Sequence, residues 1–502
     1  MKYSEHLMIC NSTQNQTVNL LPALQFEVRR VFLVSTPHAD KNGYTSRFKT
    51  VAERHGMEVQ SVLLTTDQEK DITAIQEILR NKVNGEDRII WNITGGQKIP
   101  SIPFYLMFQA RVENGFHDDK LLYIEGNRPE TWLYGTGNKP DKIKSSACIP
   151  LDDILYLYGS EAVSSTRIYP NPDEEARKHL KIGRQALEFY GGYKTFREAF
   201  FAYMKPNPAD SRNFAEMREI LRKSLEKLKP NLRQIKIDLK GYEELENSFK
   251  KLWSRIGSAR DLTNLKGTLN RLKIIEKPDE IFKNYWNQIK TKAIEHTLAS
   301  IDREKQPLTG SIPKVQAEEL AGQIRAIGGV TTIADDGRLY KEDTRRFSGL
   351  KSNGALFEWM VAAAVIETFE KKPDAYDQVS EIHLECTTKK LGEPDVKPDS
   401  ELDLVITTKF GTLLVFEMKT YEFSGDTAKS KESTAYKKSG PYGKAIIVGP
   451  LLRNMQNDDG AFPSYIDTKI IDQRQTADQN GIEYLLLDEV EGSILRKLHV
   501  ER

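Results

Sequence analysis

The segment Ser400–Thr420 constrains this chain most: two apolar runs, Leu402–Thr407 and Thr412–Lys419, flank a short stretch that contains Gly411. Such runs on either side of a glycine-bearing loop read as an antiparallel hairpin. If Thr407 pairs with Leu413, a five-residue loop remains and Asp403 falls opposite Glu417. Side chains two apart in a strand share a face, so Glu417 and Lys419 lie on that same side. Leu404, Val405, Ile406, Leu414, Val415 and Phe416 surround the three charges, which places them on a face that is not fully wet.

Two carboxylates held together there repel each other and lose hydration unless a cation lies between them, and hard oxygen ligands suit Mg²⁺ or Mn²⁺. Such an ion acidifies a bound water and stabilises charge on a phosphate oxygen, while a lysine orients or deprotonates the water. Asp403, Glu417 and Lys419 thus hold the elements of phosphodiester hydrolysis. The plainer reading is a surface ion pair of Glu417 with Lys419.

A further carboxylate, Glu358, is the lone charge in the continuous apolar run Gly354–Ile366, within a helix predicted over Ala355–Phe369. Burying it unpaired would cost several kcal/mol, so Glu358 is the helix-borne candidate for holding the metal or its water. Glu385, on the strand candidate Glu381–Cys386, alternates with Ile382 and Leu384 and fits a half-exposed strand equally well. Downstream, Tyr436–Lys444 reads as a flexible basic and aromatic turn, with Lys437, Lys438 and Lys444 as candidate phosphate contacts.

The opposite end has a different rhythm. Strand candidates His6–Cys10, Arg30–Ser35, Glu58–Leu64, Arg88–Ile93 and Lys120–Glu125 alternate with amphipathic stretches such as Asp71–Asn84. That alternation predicts a Rossmann-like parallel α/β sheet. In such sheets ligands bind beyond the carboxyl ends of the strands, where strands one and four are the expected neighbours. The candidate binding residues there are Asn11, Ser12, Thr13 and Gln14 after strand one, and Asn92, Thr94, Gly95, Gly96, Gln97 and Lys98 after strand four. Glycines allow close backbone approach, and a helix start offers free N–H groups to an anion. No G-x-G-x-x-G follows the first strand, which argues against a dinucleotide cofactor.

The 502 residues suggest about three domains: a sensor over 1–150, a helical connector over 171–305 and a nuclease domain over 315–502. Between Asp210 and Glu295 stand 20 Lys and Arg against 13 Asp and Glu, a local basic excess in a chain of net charge +1. No secretory or membrane-spanning stretch is evident, which points to the cytoplasm and away from a membrane. Cys10, Cys148 and Cys386 are too far apart for a zinc or disulfide framework and read as buried thiols.

The order helix glutamate, Asp403, then Glu417-Met418-Lys419 resembles the PD-(D/E)xK nuclease superfamily, over about Ser348 to Val448, although no proline directly precedes Asp403. The resemblance implies the Met418 backbone carbonyl as a further metal ligand. Together with Asn11–Gln14 and Asn92–Lys98, the layout resembles the CARF-domain nucleases of type III CRISPR antiviral defence. That resemblance implies a homodimeric endonuclease for DNA, RNA or both, activated by cyclic oligoadenylate, the tetra-adenylate ring slightly preferred. Two other readings stand beside it: a restriction or repair nuclease with a different or no nucleotide activator, and a non-catalytic, nucleotide-responsive regulator that binds nucleic acid.

Overall fold

Strand β1 (Leu7–Asn11) is buried along its whole length, as a strand covered on both faces must be. In the computed structural model it pairs in parallel with β2 (Arg30–Ser35) on one side and with β4 (Ile89–Asn92) on the other. The sheet continues in parallel to β3 (Glu58–Leu63) beyond β2 and to β5 (Lys120–Ile124) beyond β4. All five strands lie where the apolar runs placed them.

The sheet is nevertheless mixed, which corrects the expectation of a parallel one. β6 (Glu130–Tyr134) and β7 (Asp141–Lys144) extend it antiparallel, in the order β3-β2-β1-β4-β5-β6-β7. Only five residues separate β5 from β6, too few for the crossover that a parallel pair needs. The helix expected at Asp71–Asn84 spans Ile72–Val83, and the Asp71 carboxylate caps it by accepting from the N–H groups of Thr73 and Ala74.

The structure describes residues 2–96, 98–125, 128, 130–137, 139–204, 308–329, 331–341, 353–393, 398, 400–421, 423, 425–456 and 461–500. The basic stretch Asp210–Glu295 and most of the helical connector therefore lie outside the described residues. Two compact units emerge. One holds the described residues within Met1–Phe201, Gly322–Val330 and Asp343–Arg502; the other holds those within Ala202–Ala321 and Thr331–Glu342. In the second, β9 (Thr331–Ile333) and β10 (Leu339–Lys341) form an antiparallel pair.

A second sheet lies in the first unit. Its strands are β8 (Ser160–Tyr169), β11 (Val379–Lys390), β12 (Ser400–Thr408), β13 (Leu413–Met418), β14 (Lys444–Val448) and β15 (Glu483–Leu485), ordered β15-β14-β13-β12-β11-β8. The edge strand β8 follows the first sheet in sequence yet pairs with β11. The helix Glu174–Gly192, within the span read as connector, packs on the helix Asn353–Lys371, with the His179 and Trp359 rings 5.1 Å apart. Cys10 and Cys386 are buried as expected, whereas Cys148 is exposed. Among the described residues no helix is long and apolar enough to cross a membrane.

Candidate functional site

The carboxyl ends of β1 and β4 lie side by side and open into a cavity of about 280 Å³. Of the residues expected there, Asn11, Ser12, Thr13, Gln14 and Gly96 line it. Gly96 has φ +91°, and a Cβ on it would stand 2.9 Å from that of Asn11, so the turn closes tightly over the end of β1. Ser12 Oγ accepts from Gln16 Nε2 at 3.0 Å and from Thr45 Oγ1 at 2.8 Å, which fixes the loop. Asn11 Nδ2 donates to Ser101 Oγ at 2.9 Å, but its Oδ1 is buried with no partner. A buried acceptor left unpaired costs about 1–3 kcal/mol, so a ligand donor at this point would be well used.

Three more of the expected residues, Asn92, Thr94 and Gly95, serve the frame. Asn92 is fully buried and donates to Val18 O and Asn19 Oδ1, both at 3.0 Å. Thr94 Oγ1 accepts from Ile124 N at 2.9 Å. Gly95 lies under Thr13, whose Cγ2 would be 2.8 Å from an added Cβ. Lys98 is exposed at the start of the helix Lys98–Glu113, and Gln97 lies outside the described residues. Sequence reasoning missed Thr36, His38 and Tyr44, which also line the cavity. They follow β2, so the strand-end rule, applied to β2 as well, would have found that loop.

In the second sheet the hairpin takes the expected register. Thr407 pairs with Leu413 and Leu404 with Phe416, and continuing the ladder sets Asp403 opposite Glu417. Asp403 Oδ2 accepts from Met418 N at 2.8 Å, and Lys419 Nζ lies 3.5 Å from that oxygen and 3.4 Å from Glu417 Oε2. Glu417 has no exposed surface. Burial, then the charge of Asp403, pushes its carboxyl up to about 7. Burial pulls Lys419 down, but Asp403 and Glu417 outweigh it and hold the ammonium above its ordinary value.

Lys431 was not foreseen. It lies on the helix Gly425–Ser439, and its Nζ is 2.7 Å from Glu417 Oε2 and 3.1 Å from Glu401 O. This helix takes in Tyr436–Ser439 of the segment read as a flexible turn, and a 3-10 turn over Gly440–Tyr442 follows it. Lys437 on it is exposed, but Lys438 is buried and donates to Ser160 Oγ at 2.9 Å, which takes it out of the phosphate-contact set. Lys444 opens β14, and its side chain lies outside the described residues.

Glu358 faces the same cluster. Burial first, then Asp403, Glu385 and Glu401, push its carboxyl up to about 8. Among the described residues no group of three His, Cys, Asp or Glu is arranged to hold a metal ion. Even so, Glu417 Oε1 is buried and unpartnered, and with the Asp403 carboxylate it forms a hard-oxygen pair that fits a divalent cation.

The chain thus joins a mixed α/β sheet with a polar cavity at its strand ends to a second sheet that bears a carboxylate and lysine cluster. Residues 14–144 match the family model of the Card1 CARF domain. No curated protein matches the chain in sequence. Among solved structures, protein VC1899 from Vibrio cholerae is 14% identical and covers 99% of this chain and 98% of its own, at TM-score 0.54. Can2 from Sulfobacillus thermosulfidooxidans, solved in complex with cyclic tetra-adenylate, is 12% identical and covers 98% of this chain and 99% of its own, at TM-score 0.51. These likenesses show a shared fold.

Proposed function

We propose that this chain is a nuclease switched on by a cyclic oligoadenylate, cutting DNA or RNA with a divalent metal in type III CRISPR defence. One observation carries the reading. A hydroxyl- and amide-lined cavity with an unpartnered Asn11 Oδ1 shares a compact unit with the cluster of half-buried Asp403 and Lys419 around the buried Glu417. The cavity lies largely within the stretch matched to the Card1 CARF domain, and the cyclic tetra-adenylate in Can2 favours that ring as activator.

In this reading the second sheet is a PD-(D/E)xK core. Asp403 and Glu417 would hold Mg²⁺ or Mn²⁺, with the Met418 carbonyl and Glu358 as further ligands. The ion would acidify a bound water and draw charge from the scissile phosphate. Lys419, held cationic by its two carboxylates, positions the attacking water and balances charge on the phosphate. Lys431 keeps the buried Glu417 carboxylate compensated. Lys437 and Lys444, with the exposed rings of Tyr436 and Tyr442, would meet the nucleic acid.

Two copies would share one ring across a two-fold axis. The helix Lys98–Glu113, which begins beside the pocket, leaves Ile99, Ile102, Tyr105 and Leu106 exposed, an apolar stripe suited to that contact.

The test is cleavage of labelled single-stranded RNA, single-stranded DNA and plasmid with Mg²⁺ or Mn²⁺, with and without cyclic tetra- or hexa-adenylate. Metal-dependent cutting that rises with one ring and vanishes in Glu417→Ala/Lys419→Ala supports the proposal. Full activity in that double variant would refute the active site. Ring binding without any cleavage would favour the non-catalytic regulator.

A further inference from the structure

Asn15 follows directly on the pocket residues Asn11–Gln14, and two donors share its side-chain oxygen. Thr17 Oγ1 and Tyr158 OH each lie 2.7 Å from Oδ1. Burial pushes the Tyr158 phenol well above its ordinary value, so its O–H stays a donor at any working pH.

Each donor also leans on the module that carries the carboxylates. Thr17 packs under Gly411, in the loop of the β12–β13 hairpin, so closely that a Cβ at Gly411 would stand 2.9 Å from that of Thr17. The Tyr158 hydroxyl lies against Gly440, where an added Cβ would be 2.5 Å away. Gly440 directly follows the helix Gly425–Ser439. The hairpin holds Asp403 and Glu417, and the helix holds Lys431, the partner of Glu417. The same junction is stiffened by the buried bond from Lys438 to Ser160 Oγ and by Leu151 N donating to Glu381 Oε2 at 2.7 Å.

We infer that Asn15 and Tyr158 form the relay through which occupancy of the Asn11–Gln14 pocket repositions the hairpin and helix of the catalytic cluster, with Tyr158 acting as a positioning residue. This inference rests on the proposed activation by a cyclic oligoadenylate. A ligand seated on Asn11–Gln14 biases the turn that ends in Asn15. Both hydrogen bonds and both glycine contacts then carry that bias to the hairpin that bears Glu417 and to the helix that bears its partner Lys431. Packed contacts of this kind pass on a shift because they cannot deform smoothly. Coupling of one hydrogen bond's strength corresponds to roughly a three- to ten-fold change in response.

The experiment uses the full chain, with Tyr158→Phe, Asn15→Ala and the double variant. Affinity for cyclic tetra- and hexa-adenylate is measured by calorimetry, and cleavage is measured with and without each ring. The expected result is wild-type affinity and wild-type basal cleavage, with stimulation lowered roughly three- to ten-fold in each single variant and no further in the double. Should Tyr158→Phe melt early, Asn15→Ala alone decides the matter. Stimulation unchanged in a folded variant overturns the relay, and so does stimulation that falls only because affinity falls, or losses that multiply in the double. If the wild-type chain responds to neither ring, the parent proposal fails and the relay falls with it. If the wild type responds and the variants respond equally, the relay alone fails.

Discussion

Lys431 Nζ lies 2.7 Å from Oε2 of Glu417, a carboxylate with no exposed surface. Losing one partner of a buried ion pair leaves the other charge uncompensated. Lys431→Met is therefore expected to destabilise the fold by about 1–3 kcal/mol, since Lys419 remains nearby and Glu417 can take up a proton. Urea denaturation at neutral pH checks this, and an unchanged midpoint would show that the contact contributes nothing.

Glu417→Gln keeps the shape of the side chain but removes its charge. Stimulated cleavage should fall at least about 100-fold, because the residue is proposed both to hold the metal and to position Lys419. Activity within a few fold of wild type would assign the chemistry elsewhere.

Folding raises the Glu358 carboxyl from 4.5 to about 8, chiefly through burial. The native state then keeps a proton that the unfolded chain releases. The associated stability is fully present below the unfolded value of 4.5 and is lost as pH rises through about 8. Between pH 5 and 8.5, with chelator present, the wild type should lose stability relative to Glu358→Gln by up to about 4 kcal/mol. Parallel stability curves for the two proteins would contradict this.

Gly96 combines a left-handed φ of +91° with a neighbour 2.9 Å from where a Cβ would stand. Gly96→Val should distort the turn against Asn11 and weaken cyclic-adenylate binding at least ten-fold (~1.4 kcal/mol). Calorimetry gives the answer directly, and wild-type affinity would mean that the turn does not shape the pocket.

Asp119 is fully buried and accepts from Ile89 N, Trp91 Nε1 and the Arg111 guanidinium. Asp119→Ala would strand Arg111 and two N–H donors beside β4 and cost about 3–5 kcal/mol. A loss under about 1 kcal/mol in chemical denaturation would be inconsistent with this network.

Much of this was legible in the linear order of residues. Five strands of the first sheet and three of the second coincide with short apolar runs bounded by polar residues. Asp403 meets Glu417 because a five-residue loop fixes the register of a two-strand pair. The Asn11–Gln14 segment was legible because it ends a buried strand. Asn92 and Thr94 were read as ligand contacts yet serve the frame, since sequence reports a polar residue's position in a turn and not the direction in which it faces. Lys431 gave no sign, being one lysine among several in a charged, polar stretch.

What the sequence determined by itself is local: the strands, the hairpin register and the chemical kinds of group at each strand end, all set by periodicity over a few residues. The tertiary structure decided which distant pieces became neighbours. It placed β8 at the edge of the second sheet, set Lys431 against Glu417, and brought Tyr158 to Asn15 across 143 residues of chain. Those contacts follow from sheet order and packing, and apolar burial, which drives the packing, is nondirectional and carries no address in the local sequence.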